Sequence, residues 1–283
     1  MYTIGFVDYY INEWHANNYP AWIETACKEL GVEFQVKYAY SELDIDPENG
    51  YSSDVWCKER DIIRCATIEE LCEKSDYIVI LSPSNPEKHL EYAQKVFPYG
   101  KRTYVDKTFA PDYNTAKAIF DLGQKYGVKF FSTSALRYAS EIEKYKGDAK
   151  GVFTTGTGRT IEEYIIHQVE MVVKCMGVGA TQVKATQAND QYLINLKYKD
   201  GRQASMFYVA YGDVPFTATV ADSSGKSTYC NVQSDFFSYL IKDIVSFFMN
   251  GEEPFDSQET LEAMKIIEKI NEAIKNLEKW IEI

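Results

Sequence analysis

Tyr77-Ile-Val-Ile-Leu81, followed by Ser82-Pro-Ser-Asn85, is the stretch that decides the fold. Five apolar residues in a row offer water no polar face, so the run reads as a strand buried on both sides. Such strands belong to parallel sheets covered by helices on each face, and the flanking sequence supplies the helices. Upstream, Thr67-Ile-Glu-Glu70 is a capping box, with Thr67 as N-cap and Glu70 reaching back. Downstream, Pro86 to Val96 has a helical pattern, Arg102 to Val105 is the next strand, and Tyr113 to Tyr126 is an amphipathic helix ended by Gly127. Lys129 to Ser132 is a further strand. Toward the N-terminus, Ile4-Gly-Phe-Val7 is a short apolar run, Trp14 to Leu30 is a helix stopped by Gly31, and Phe34 to Tyr40 alternates as a strand. Ser41 to Asp61 reads as a polar connection, with a turn at Asp46-Pro-Glu-Asn-Gly50. Strands alternating with helices imply parallel pairing through right-handed crossovers. Residues 1–135 are therefore expected to form a doubly wound parallel sheet.

The pattern changes after Arg137, and residues 136–283 read as a second, α+β domain. Val152 to Gly158 is a strand and Ile161 to Met176 a helix. Four strand-like stretches follow, Gln182–Ala188, Tyr192–Tyr198, Ala204–Tyr211 and Phe216–Ala221. Turn chemistry at Lys199-Asp-Gly-Arg202 and Ser223-Ser-Gly-Lys226 links them into an open, largely antiparallel sheet. Two helices close the chain, Asp235 to Asn250 and Ser257 to Trp280, with Ser257 expected as the cap of the second.

Bulk properties narrow the function. The 283 residues carry a net charge of −12, which argues against nucleic acid or an anionic membrane surface as a partner. No apolar run approaches the roughly 20 residues that span a bilayer. The six cysteines contain no C-x-x-C pair, so zinc-ribbon and thioredoxin-like readings fail. The start of the chain is strand-like rather than a secretory signal, and a reduced cytoplasmic protein is expected. Among 22 Tyr and 15 Phe, some rings can pack on carbohydrate C–H faces, although core and interface roles account for most.

The order of elements resembles the glucose–fructose oxidoreductase/inositol dehydrogenase/MocA family, a Rossmann-like domain followed by an open-faced α/β domain. Several marks carry the resemblance over nearly the whole chain. Ser82-Pro-Ser-Asn85 with His89 and Ala93 is similar to the family's Thr-Pro-Asn…His…Ala. Asp106-Lys107 resembles its Glu-Lys-Pro motif, and Leu136-Arg-Tyr138 its Asn-x-Arg-Phe/Tyr element. Glu163-x-x-x-His167-x-x-Glu170 is similar to Asp-x-Gly-x-His-x-x-Asp, and Asn250-Gly-Glu-Glu-Pro254 matches the family's ending.

The resemblance implies an oxidoreductase using NAD or NADP on a sugar, inositol or related polyol. His167 would take the hydroxyl proton, since imidazole ordinarily titrates near neutrality. Lys107 would stabilise the alkoxide, and Glu163, four residues before His167 on one helix face, would fix the imidazole tautomer. Cofactor contacts fall on Asp8, Tyr10, His15, Ser82, Ser84, Asn85 and Asp106, and substrate contacts on Arg137 and Tyr138. Several have a plainer alternative: a packed helix histidine at His167, a solvated strand-end lysine at Lys107, turn residues at 82–85, a cap or surface histidine at His15, a pin between the two domains at Arg137 and Tyr138. Asp44 or Asp46 could reach an adenosine ribose, but the turn reading accounts for both. No metal site is expected. The open sheet predicts a homodimer or homotetramer.

One departure bears on all of this. The glycine loop G-x-G-x-x-G lets backbone turn tightly against a pyrophosphate. Here its three positions read Asp8, Tyr10 and Glu13, and Gly5 lies inside the strand. A like-charge pair at about 4 Å costs on the order of 4 kcal/mol at intermediate dielectric. Either the dinucleotide binds in a changed pose, or the fold serves a non-redox ligand-binding or interaction role.

Overall fold

A computed structural model describes all residues, Met1–Ile283. The chain forms two compact units, Met1–Thr133 with Ser238–Phe255, and Ser134–Phe237 with Asp256–Ile283. The sequence assigns 238–255 to the second half, whereas this segment packs as part of the first unit.

The first unit holds β1 (Tyr2–Asp8), α1 (Trp14–Leu30), β2 (Phe34–Ser41), α2 (Ser53–Glu59), β3 (Ile63–Arg64), α3 (Ile68–Lys74), β4 (Tyr77–Ile80), α4 (His89–Val96), β5 (Thr103–Val105), α5 (Tyr113–Tyr126) and β6 (Phe130–Phe131). Its six strands are all parallel, in the order β3-β2-β1-β4-β5-β6. This is the doubly wound Rossmann order, whose direction of winding reverses between β1 and β4. Ile78, Val79 and Ile80 of β4 are fully buried, as their unbroken apolar run requires. Gly5 answers to packing: a Cβ there would overlap Leu71 and Ser75 at the end of α3. Thr67 caps α3 by accepting from Glu70 N at 3.1 Å, and the Glu70 carboxylate returns to Ala66 N at 2.8 Å. The polar stretch 41–61 contains α2, which the sequence reading passes over along with the two-residue β3.

The second unit holds β7 (Gly151–Gly158), α6 (Ile161–Met176), β8 (Ala180–Ala188), β9 (Gln191–Tyr198), β10 (Gln203–Ala210), β11 (Thr217–Ala221) and β12 (Ser227–Asn231). The helix α7 (Phe236–Asn250) starts there, and α8 (Ser257–Lys275) and β13 (Ile281–Glu282) complete it. The sheet order is β12-β11-β7-β10-β9-β8-β13, antiparallel except for the parallel pair β7 and β10. Two strands, β12 and β13, escape the sequence reading. The expected Ser257 cap is corrected: Asp256 is the N-cap, its carboxylate accepting from Gln258 N at 2.9 Å, and Ser257 is the first helical residue. An aspartate satisfies the orphan amides of a helix start at least as well as serine.

From Ser238 onward, α7 belongs to the first unit. Phe248 stacks on Tyr77 at 4.9 Å between ring centroids, and Phe247 meets Phe131 edge-on at 5.1 Å. Arg102 donates to the Phe248 and Met249 carbonyls, and Lys129 to Gly251 O at 2.8 Å, so two cations satisfy the carbonyl end of the helix. No helix is long and apolar enough to cross a membrane.

Candidate functional site

The carboxyl ends of β1, β4 and β5 place Asp8, Ser82 and Asp106-Lys107 at the reversal point of the first sheet, where such sheets hold ligands. Asp8 is 1% exposed. Its Oδ1 accepts from Tyr9 N at 2.7 Å and from the Ser82 hydroxyl at 3.1 Å, which ties β1 to the loop after β4. Its Oδ2 is buried without a hydrogen-bond partner. Burial, and next the charge of Glu13, raise the Asp8 carboxyl well above its ordinary range. Ser82 sits in the left-handed region at φ 67° and also accepts from Tyr9 N at 2.9 Å.

Asp106 is fully buried and accepts from His15 Nδ1 through Oδ2 and from Lys107 N through Oδ1 at 2.8 Å. Burial alone would raise its carboxyl; the charge and hydrogen bond of His15, with Lys107, outweigh burial and hold it below the ordinary range. The His15 ring stacks on Tyr19 at 5.1 Å. Lys107 is 8% exposed, with Nζ 3.5 Å from Pro83 O. The Lys107–Thr108 peptide is cis. His89 spans Leu81 O at 2.6 Å and Phe109 O at 2.9 Å, which joins the loops after β4 and β5. Ser84 is exposed, and Asn85 donates to Glu87 at 3.1 Å. Tyr10 is half-buried, and burial with Glu48 and Asp8 pushes its hydroxyl up to about 12. Asp44 pairs with Arg64, and Asp46 accepts from Glu48 N at 2.8 Å inside its turn.

Glu13, which the sequence reading places facing a phosphate, is the N-cap of α1. Its carboxylate accepts from His15 N at 2.7 Å and from Ala16 N. Burial raises it, against the charge of His15 and these amides. Ile11 N donates to Ser41 Oγ at 3.2 Å and Tyr9 N to Asp8 and Ser82. The turn between β1 and α1 is thus cross-linked by Asp8 and Glu13 at its two ends and by Ser41 and Ser82 from neighbouring strand ends. Glutamate is not among the favoured cap residues, so the sequence carries no cap signal there.

In the second unit, His167 lies on α6, with Nδ1 2.6 Å from Ser134 Oγ and its ring edge-on to Tyr164 and Phe216. Ser134 is the partner that sequence reasoning misses, because 33 residues separate the two and no motif links them. Glu163 forms an ion pair with Arg159 at 2.6 Å, and its amide donates to the Thr160 cap at 3.4 Å. Arg137 is buried between Glu170, at 2.9 Å, and Glu259, which ties the turn holding Tyr138 to α6 and α8. These ion pairs lie wholly within the second unit, so they differ from the expected pin between two domains.

No protein-family model and no curated protein matches the sequence. Solved structures do match, and they give the chain the fold of glucose–fructose oxidoreductase/inositol dehydrogenase/MocA-type dehydrogenases. A probable dehydrogenase from Thermotoga maritima superposes with a TM-score of 0.79 at 12% identity, over 99% of this chain and 98% of that one. UDP-N-acetylglucosamine 3-dehydrogenase GnnA from Acidithiobacillus ferrooxidans gives 0.77 at 12% identity, over 96% and 97%. Apo scyllo-inositol dehydrogenase from Lactobacillus casei gives 0.73 at 14%, over 99% and 98%.

This fold implies a dinucleotide. Ser84 and Asn85, after β4, carry the hydroxyl and amide chemistry that would hold its ribose and carboxamide, with Asn85 now donating to Glu87 at 3.1 Å. The turn after β1 does not, as it stands, fit its pyrophosphate, because Glu13 already holds the amides of the first helical turn.

Proposed function

We propose that the chain is an oxidoreductase acting on a hydroxyl of a sugar, inositol or related polyol. The observation that carries this reading is Lys107. Its ammonium is nearly buried at the carboxyl end of β5, beside the reversal point of a parallel sheet, where a solvated structural lysine has no reason to sit. There it orients a hydroxyl and stabilises the oxygen as its proton leaves. His167, held through Nδ1 by Ser134, is the proposed proton acceptor, with Ser134 as its positioning residue, while the Glu163 carboxylate pairs with Arg159. A bound nicotinamide would accept the hydride. Asp106 keeps Lys107 in place through the Lys107 amide and draws His15 onto the same carboxylate.

A second reading, a non-redox ligand-binding protein, is favoured by one observation, the carboxylate of Glu13 on the α1 amides. Fluorescence titration with NADH and NADPH separates the two. Saturable binding is expected, and none up to millimolar cofactor rejects the oxidoreductase. Lys107→Ala and His167→Ala should each abolish turnover of the responsive polyol and leave cofactor affinity largely intact. Full turnover by either variant rejects its role.

A further inference from the structure

We propose that Glu13 is a built-in substitute for a ligand phosphate, and that a dinucleotide reaches the N-terminus of α1 only by displacing this carboxylate. A helix N-terminus attracts one anion, because its first amides lack intrahelical partners and the helix dipole adds positive potential. In this chain the anion comes from the polypeptide itself. Glu13 accepts from His15 N at 2.7 Å and from Ala16 N, which leaves a phosphate oxygen no claim on those donors while the carboxylate stays.

The rest of the turn is committed in the same way. Tyr9 N donates to Asp8 and Ser82, Ile11 N to Ser41, and Glu13 N to Ile11 O at 2.9 Å. His15 is drawn off to Asp106, so its ring answers a protein carboxylate rather than a ligand. A second observation is independent of the helix end. Asp8 Oδ2 is buried with no hydrogen-bond partner, and Glu13 is the charged neighbour that Asp8 feels most. A pyrophosphate arriving with Glu13 still in place would add its charges beside two carboxyl groups. With Glu13 swung out, it would meet free amides and one fewer negative charge. Glu13 therefore sets cofactor affinity without touching the reacting atoms.

The inference concerns binding and stands apart from the oxidoreductase reading. The test measures the affinity of the full chain for NADH and for ADP-ribose by fluorescence and calorimetry, in the natural protein and three variants. Glu13→Ala removes the plug. Glu13→Ser keeps a good neutral cap, so that α1 still starts correctly if the alanine variant frays. Glu24→Gln alters an exposed carboxylate of the same helix as a control. Both Glu13 variants should bind about tenfold tighter or better, a change of about one decade in Kd, and Glu24→Gln should bind as the natural protein does. Equal or weaker binding by both Glu13 variants, or no binding by any form, overturns the proposal. Tighter binding without any polyol turnover would sink the oxidoreductase alone, and turnover with unchanged affinity would sink the plug alone.

Discussion

Asp8 and Asp106 show how far two carboxyl groups of one crevice can be driven apart. Asp8 has a raised folded-state pKa, with burial as the main cause and Glu13 next. The folded chain then holds that proton more tightly than the unfolded chain does. Its favourable contribution is complete below the ordinary value of 3.8 and is lost as pH rises through the folded value. Asp8→Asn carries a fixed, pH-independent cost for its unpartnered amide nitrogen. Against that offset, its Tm relative to the natural protein should climb by a few degrees between pH 4 and pH 7 in thermal melts. A flat difference would show that Asp8 stays ionised when folded. Asp106 runs the other way: its depressed pKa stabilises above the unfolded value, and that contribution is lost as pH falls through the folded one. At this scale the sequence is legible where position alone speaks. Lys107 could be picked out because it follows a strand. Glu13 could not be read as a cap, and Ser134 could not be matched to His167, because only folding brings those groups together.

Three helix ends announce themselves in the sequence. Thr67 with Glu70, Gly31 and Gly127 could be read from sequence, since a cap needs only residues within one turn. Short strands give no such notice. Ser227–Asn231 and Ile281–Glu282 exist because β11 and β8 present open edges to them, and nothing in their own composition says so. The joint of α6, α8 and the turn at 135–138 is likewise tertiary. Arg137 and Glu170 are buried together, and burial raises the Glu170 carboxyl even against its partner. Arg137→Met leaves that carboxylate without its counter-ion and should cost about 3–5 kcal/mol. The expected drop in Tm is roughly ten degrees. Replacing both partners, Arg137→Met with Glu170→Met, should recover most of the loss, and a double variant no better than the single one would assign the instability to Glu259 or to packing.

The open sheet of the second unit presents Tyr229, Thr219, Phe153, Ser205 and Asn195 as a row across β12, β11, β7, β10 and β9. Tyr229 is 65% exposed and Phe153 42%, while Cys230 beside the first and Val152 and Thr154 beside the second are buried. We propose that a second copy covers this face, giving a dimer or tetramer. Light scattering that finds only monomer at micromolar concentration would reject the idea. The doubly wound order was legible at this scale because each crossover is local and right-handed. The return of Ser238–Phe255 to the first unit was not, since nothing near those residues in sequence names Tyr77 or Phe131 as their partners.

That return has a consequence for how the polypeptide is made. The first unit lacks Phe247, Phe248 and the helix end that Arg102 and Lys129 satisfy until residue 255 has left the ribosome. Vectorial synthesis therefore cannot finish the amino-terminal body before most of the carboxyl-terminal one has emerged. For the same reason, a gene fragment ending at residue 135 encodes a truncated core rather than a module that can be lifted out and grafted elsewhere.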